Sequence, residues 1–188
     1  MPNPDKNLHS FNGPHDNNRL VDWANEDVIP GPDIADAIKC STQLQNFTLN
    51  VGRVASGTED CLDVNNGCQN ISVSAELWSL RGNMGITIKG GSSNVYVGGP
   101  MDGRGRECDV DLGNASDQSH EKVTGAQLNL WRIDGQPVRV RVLNSDMPQE
   151  VQGSGPYTYV FPWKWTPFRS LAVKIFMEWR RWKARRSA

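Results

Sequence analysis

The chain has 188 residues, of which 37% are hydrophobic and 22% charged, with a formal net charge of −1. That is long enough to bury a real core in one domain with a segment to spare, and the composition is that of neither a membrane protein nor a disordered chain. No run approaches 18 consecutive apolar residues, so no transmembrane helix is expected, and the opening Met-Pro-Asn-Pro-Asp-Lys has no apolar stretch of the signal-peptide kind. Manufacture without Sec-type export is the expectation, with the cytoplasm as the alternative to the setting drawn at the end of the chain.

The near-zero charge hides a division. Residues 164–188 hold eight Lys/Arg against the single acid Glu178, which leaves twelve basic and twenty acidic side chains before them. An acidic body carries a basic tail, and that asymmetry bears on partners more than the overall isoelectric point does.

In chain order, residues 1–32 are polar and rich in Asn and Pro, and read as an extended arm ordered by contact with something else. Asp33-Ile34-Ala35-Asp36-Ala37-Ile38-Lys39, after Pro32, reads as a short amphipathic helix able to cap the segment C-terminal to it. Next comes a repeat. Gln45-Asn46-Phe47-Thr48-Leu49, Gln69-Asn70-Ile71-Ser72-Val73 and Ser93-Asn94-Val95-Tyr96-Val97 lie 24 residues apart. A second alternating set keeps the same interval: Leu62 and Val64, Ile86 and Ile88, Val110 and Leu112. Both sets recur 30 or 31 residues later, at Ala126, Leu128 and Leu130 and at Val140 and Val142.

Strands that alternate apolar and polar residues and recur at 24 residues do not fit a hairpin meander, whose strands recur at about 8–12 residues. They fit coils that return each strand above its predecessor at about 4.8 Å. The predicted fold is therefore all-β, a short parallel β-helix of about four coils over residues 44–143, within a segment 33–148. Asn46, Asn70 and Asn94 are expected to stack as an amide ladder at a turn, with Phe47, Ile71 and Val95 inside. A fainter third strand is expected near Val54, Trp78 and Ile133. Asn65-Asn66-Gly67, Gly90-Gly91 and Gly113-Asn114 punctuate the corners. The six or so extra residues of the last interval fall best in a loop at 113–122.

Cys40, Cys61, Cys68 and Cys108 have no Cys-x-x-Cys spacing, and His9, His15 and His120 are scattered, so buried reduced thiols and no metal site are expected. A Cys61–Cys68 disulfide is the alternative. Asp109 and Asp111 alternate with Val110 and Leu112 on an outward strand face, where a calcium site is an alternative to solvated carboxylates. Asp102-Gly103-Arg104-Gly105-Arg106 reads as a surface turn, since it lacks phosphate-loop spacing.

Glu59-Asp60-Cys61-Leu62-Asp63-Val64-Asn65-Asn66-Gly67 resembles the Asp-Asp-Cys-Ile/Leu-Ala-Ile-x-x-Gly coil of polygalacturonases, in the pectate-lyase-like β-helix superfamily. Gly82-Asn83-Met84-Gly85-Ile86-Thr87-Ile88 loosely resembles that family's Gly-His-Gly-x-Ser-Ile motif. The likeness covers about forty residues and implies a right-handed coil. Glu59 and Asp60 fall on two acidic motif positions, the kind used for inverting glycoside hydrolysis. However, no Asn-Thr-Asp precedes them, Asn83-Met84 replaces the histidine, and no Arg-Ile-Lys comes after. No catalytic residues are assigned, and Glu59 and Asp60 read as solvated corner residues.

Residues 149–188 form an aromatic linker and then, from Pro167 to about Arg186, a predicted C-terminal amphipathic helix N-capped by Thr166. Trp163, Trp165, Phe168, Leu171, Ile175, Trp179, Arg180, Arg181, Trp182, Lys183, Arg185 and Arg186 are the candidate partner-binding residues, because aromatic and Arg side chains anchor interfaces. Docking on another protein ranks first, ahead of packing on the chain's own coils, a membrane surface or nucleic acid. By analogy of fold, the expectation is a non-catalytic structural subunit: a homotrimer decorating a viral capsid or associated with a phage tail, in the virion, with no cofactor and no small-molecule substrate. The alternative is a carbohydrate-binding or degenerate polysaccharide-degrading protein, with Trp78 and Trp131 as groove candidates.

Overall fold

The computed structural model describes residues 7–113 and 121–160. Thirteen strands account for the regular structure among them: β1 His9–Asn12, β2 Leu20–Val28, β3 Ile38–Ser41, β4 Gln45–Ala55, β5 Leu62–Val64, β6 Gln69–Leu80, β7 Ile86–Ile88, β8 Ser93–Gly103, β9 Val110–Leu112, β10 Gln127–Arg132, β11 Val138–Val142, β12 Gln149–Glu150 and β13 Tyr157–Val160. The odd-numbered strands form one sheet, in the order β1-β3-β5-β7-β9-β11-β13, and the even-numbered ones a second, β12-β10-β8-β6-β4-β2. Every pairing is parallel. The fold is all-β, two parallel sheets between which the chain alternates.

The 24-residue interval is the register itself. Phe47 pairs with Ile71 and Ile71 with Val95, while Leu62 pairs with Ile86 and Ile86 with Val110. Those side chains are at most 1% exposed and belong to one continuous core. Parallel sheets covered on their inner faces require such columns of branched aliphatics. The longer intervals are real too: Val110 pairs with Val140, and Gln127 with Tyr96. The expected third strand is not separate. Val54, Trp78 and Met101 continue β4, β6 and β8 in register, whereas Ile133 lies past β10 and is exposed.

Between the sheets the chain turns in left-handed backbone. Thr42-Gln43, Asn66-Gly67 and Gly90-Gly91 occupy equivalent places, all with φ between 54° and 72°. Leu44 N–H donates to Ser41 O, and Ser92 N–H to Lys89 O, each at 3.3 Å, which closes the turn in the type I′ manner. One residue into the second sheet, the amide ladder is present and longer than expected. Asn46 Nδ2 donates to Asn18 Oδ1 at 2.8 Å, Asn70 Nδ2 to Asn46 Oδ1 at 2.9 Å and Asn94 Nδ2 to Asn70 Oδ1 at 3.1 Å. All four asparagines have φ between 52° and 57°, a conformation that Asn tolerates best among non-glycine residues.

Two expectations about the N-terminal part are corrected. Residues 33–39 are not a helix: Ile38 and Cys40 continue the Leu62 and Val64 columns, and Ala37 and Ile38 N–H groups donate to Asp60 and Cys61 carbonyls at 3.0 Å. A seven-residue segment cannot offset the cost of helix nucleation when a paired strand is on offer. The segment read as an arm carries β1 and β2, which pair with β3 and β4 and bring Phe11, Val21 and Val28 into the core. Phe11 and Phe47 rings lie 4.7 Å apart. At the other end β12 and β13 extend the sheets within the expected linker. The amphipathic helix expected at 167–186 and the loop residues 114–120 lie outside the described residues.

Candidate functional site

Charge is concentrated on the outer face of the seven-stranded sheet. Because Leu62 and Val64 point inward, Asp63 points out, and register aligns it with Lys39, Thr87, Asp111 and Arg141. Four turns stacked beside this face cover much of it. Glu59 N–H donates to Ala35 O at 2.9 Å, Arg106 N–H to Gly82 O at 3.1 Å and Glu107 N–H to Asn83 O at 2.9 Å. Thr87 and Asp111 are fully buried as a result, and Asp36, Asp60 and Asp63 nearly so.

The expectation that Glu59 and Asp60 are both solvated is therefore half wrong. Glu59 is exposed, but Asp60 is only 3% exposed. Burial pushes the Asp60 carboxyl up to about 8, with Asp36 and Asp63 adding to the rise against the Thr87 hydroxyl, which bonds to it. Burial, then Asp63 and Glu59, raises Asp36 to about 6. Lys89 Nζ sits 3.2 Å from Asp63 Oδ1 and Asn65 Nδ2 donates to Asp63 Oδ2 at 2.7 Å. Burial works against the Lys89 charge, but Asp63 outweighs it and raises the ammonium's pKa. Asp36 Oδ1, Asp60 Oδ1 and Asn65 Oδ1 are buried and accept no hydrogen bond, and Asp63 Oδ1 meets Lys89 only at ion-pair distance. At neutral pH this cluster holds a proton away from water. It stores a titration inside the fold and presents no pair of carboxylates to a common groove.

Farther along the same face, the carboxylates are matched with arginines. Asp109 lies between Arg139, at 3.0 Å, and Arg132, at 3.9 Å. Arg132 and Arg139 also donate to the Gly103 and Gly105 carbonyls. Arg141 binds Asp111 at 2.5 Å and Glu107 at 2.7 Å. The lone pairs that a calcium ion would need at Asp109 and Asp111 serve guanidinium groups, and the Asp102–Arg106 turn is clamped into this network. Among the described residues no group of three or more His, Cys, Asp or Glu is arranged to hold a metal ion. The four cysteines are buried and unpaired, and burial raises the thiols of Cys68 to about 11 and Cys108 to about 12.

The same sheet also bears a cleft of about 300 Å³ at its N-terminal end, lined by Asn7, Ser10, Asn12, Lys39, Ser41, Thr42 and Asn66. Ser41 Oγ and Thr42 Oγ1 both donate to Asn12 Oδ1, at 2.8 and 3.3 Å. Of the two tryptophans expected in a groove, Trp78 is wholly buried and donates its indole N–H to Gly98 O at 3.0 Å. Trp131 is exposed on the outer face of the other sheet. Trp163, Trp165, Phe168, Leu171, Ile175, Trp179, Arg180, Arg181, Trp182, Lys183, Arg185 and Arg186 lie outside the described residues.

No protein-family model, curated protein or solved structure matches this chain. The resemblance to polygalacturonases is thereby overturned as a family assignment. The residues at issue agree. Asp60 is sealed inside, and Met84, where the motif's histidine would fall, accepts through Sδ from Arg141 Nη2 at 3.3 Å.

Proposed function

We propose that this protein is a non-catalytic scaffold: a β-helical stack in which each pair of successive strands makes one coil, joined to a protein partner through its ends. The observation that carries this reading is where apolar surface is left uncovered. Among the described residues the exposed large hydrophobic side chains are Leu8, Leu20 and Ile29 at one end, and Trp131, Ile133, Met147 and Val160 toward the other. The middle strands expose none of that size. Buried or guanidinium-paired carboxylates along the outer face suit rigidity better than turnover, since acid–base catalysis needs its groups within reach of a substrate.

The two ends differ. Edge strand β2 carries Asp22, Glu26 and Asp27 and breaks register between Trp23 and Asp27, both devices that discourage another strand from adding. The opposite end leads from β13 into a segment with four tryptophans and eight basic residues. That segment is the anchoring element in this reading, and a homotrimer is the expected assembly.

Light scattering during size-exclusion chromatography tests it, on the full chain and on residues 1–160. A defined oligomer that collapses to monomer on truncation is expected. A full-length monomer whose elution truncation leaves unchanged apart from its mass defeats the proposal.

A further inference from the structure

The outer face of the six-stranded sheet differs in chemistry from the charged face of the seven-stranded one. Two outward rows run across it in register: Thr48, Ser72, Tyr96 and Gln127, then Asn50, Ser74, Gly98 and Asn129. Across β4, β6, β8 and β10 neither contains a charged side chain, and on edge strand β2 the second row ends at Asp22, beside Asn50. Both present hydroxyls and amides at the spacing of adjacent strands, about 4.8 Å.

Tyr96 does not stand up from this surface. A Cβ built on Gly98 would lie 2.6 Å from Tyr96 Oη, 3.0 Å from Cζ and 3.1 Å from Cε1. The ring is therefore laid along the strand over Gly98, which is why Gly98 is buried on an outer face. Asn129 Nδ2 donates to Tyr96 Oη at 3.1 Å and holds the ring down from the neighbouring strand. Two residues beyond Asn129 on β10 stands Trp131, 38% exposed. Its Cβ packs on bare Gly155, where an added Cβ would approach it to 2.8 Å. Two aromatic groups thus share this face, displaced by roughly 7 Å along the strand direction, and each rests on a glycine that leaves room for it.

We infer that this face binds a neutral oligosaccharide, its pyranose rings lying on Tyr96 and Trp131 and its hydroxyls meeting the amide and hydroxyl rows. A sugar ring has an apolar C–H face and a hydroxyl rim. The aromatic rings offer a face to the first, with the preference for offset contact that makes such stacking specific. Asn50, Ser74 and Asn129 offer both donors and acceptors to the second. A purely apolar ligand would strip water from these rows without replacing its hydrogen bonds, which is costly. An anionic ligand would find no cation in either row. The inference does not use the anchoring segment after β13, but it shares Trp131 with the apolar surface exposed toward that end.

The test is titration calorimetry of the full-length protein against neutral hexasaccharides: β-1,4-glucan, β-1,3-glucan, chitin, mannan and α-1,4-glucan. Saturable binding of at least one is expected. Trp131→Ala and Gly98→Ala should each weaken it by about ten-fold, the effect of one aromatic contact. Gly98→Ala is the sharper variant because it keeps Tyr96 and displaces its ring. Melting curves near wild type show that either loss belongs to the surface and not to the fold. The exposed, distant Glu59→Gln should leave binding unchanged. Failure of every hexasaccharide to bind at millimolar concentration overturns the inference, as does binding that both variants leave intact. Binding of a proline-rich decapeptide in place of any sugar overturns it as well.

Discussion

Asp60→Asn isolates the titration buried beside the seven-stranded sheet. The substitution keeps the side chain's shape and its ability to accept from Thr87, but it removes the carboxylate that burial disfavours. Folding moves this group from an ordinary 3.8 to about 8, because burial and then the neighbouring Asp36 and Asp63 oppose its ionisation. Proton counting gives the sign. Between about pH 4 and pH 8 the folded chain holds a proton that the unfolded chain has released, so this group lowers stability as pH rises. Below pH 4 both states are protonated and its contribution vanishes. Above pH 8 the full penalty is present, about 6 kcal/mol as a ceiling at 1.36 kcal/mol per pH unit. Coupling to Asp36, itself raised to about 6, and local opening to water reduce what is realised. The working expectation is thus a few kcal/mol.

Urea unfolding of wild type and Asp60→Asn at pH 5, 7 and 9 reads this directly. The two proteins should be similar at pH 5, and the variant should be increasingly the more stable at pH 7 and pH 9. A stability difference flat across that range, or one that favours wild type at pH 9, would refute a protonated, buried Asp60.

Asp109→Ala should be the most damaging single change on the same face. It leaves Arg132 and Arg139 without their shared carboxylate, and removing one partner of a buried pair costs about 3–5 kcal/mol; a drop in melting temperature of less than a few degrees would contradict the pairing. Gln43→Gly should stabilise by about 1 kcal/mol in urea titrations, because Gln43 holds φ at 57° where the equivalent turns place Gly67 and Gly91. Asn70 both accepts from Asn94 and donates to Asn46, so Asn70→Gly, which tolerates the φ of 55°, should lose only the ladder bonds, about 1–2 kcal/mol. Asn70→Ala should lose more, from added backbone strain, and equal losses would show that the ladder alone matters.

What was legible in the sequence was what repeats. The columns Phe47–Ile71–Val95 and Leu62–Ile86–Val110 are paired as their 24-residue spacing demands, because parallel register copies a sequence interval into a spatial one. The first strands escaped because their intervals are irregular. Leu20 pairs with Thr48 and His9 with Ile38, intervals of 28 and 29, and the polar residues around them hide a core share of only Phe11, Val21 and Val28. Asn18, the fourth member of the ladder, was missed for the same reason. The burial of Asp60 could not be read from a Glu-Asp dipeptide, since it depends on turns from separate parts of the chain stacking beside the sheet. The arginine pairs were readable and overlooked: Arg139 and Arg141 alternate with Val138, Val140 and Val142 at the same 30-residue interval from Asp109 and Asp111 that the apolar positions keep.

Those arginines explain how the chain tolerates its own irregularity. From Ile86 to Val95 the path between sheets takes nine residues, whereas from Val110 to the equivalent Ala126 it takes sixteen. A longer connection weakens the tie between successive strands only slowly, by a logarithm of its length. The arginines of β11 add a tie that does not depend on that length. Arg139 reaches Asp109 and the Gly105 carbonyl, and Arg141 reaches Asp111 and Glu107, so both rows that flank Val140 are pinned to β9 by charge. A one-residue slip would turn these arginines into the core and their valines outward. The same ion pairs that occupy the alternating acids Asp109 and Asp111 therefore act as a register lock between β9 and β11.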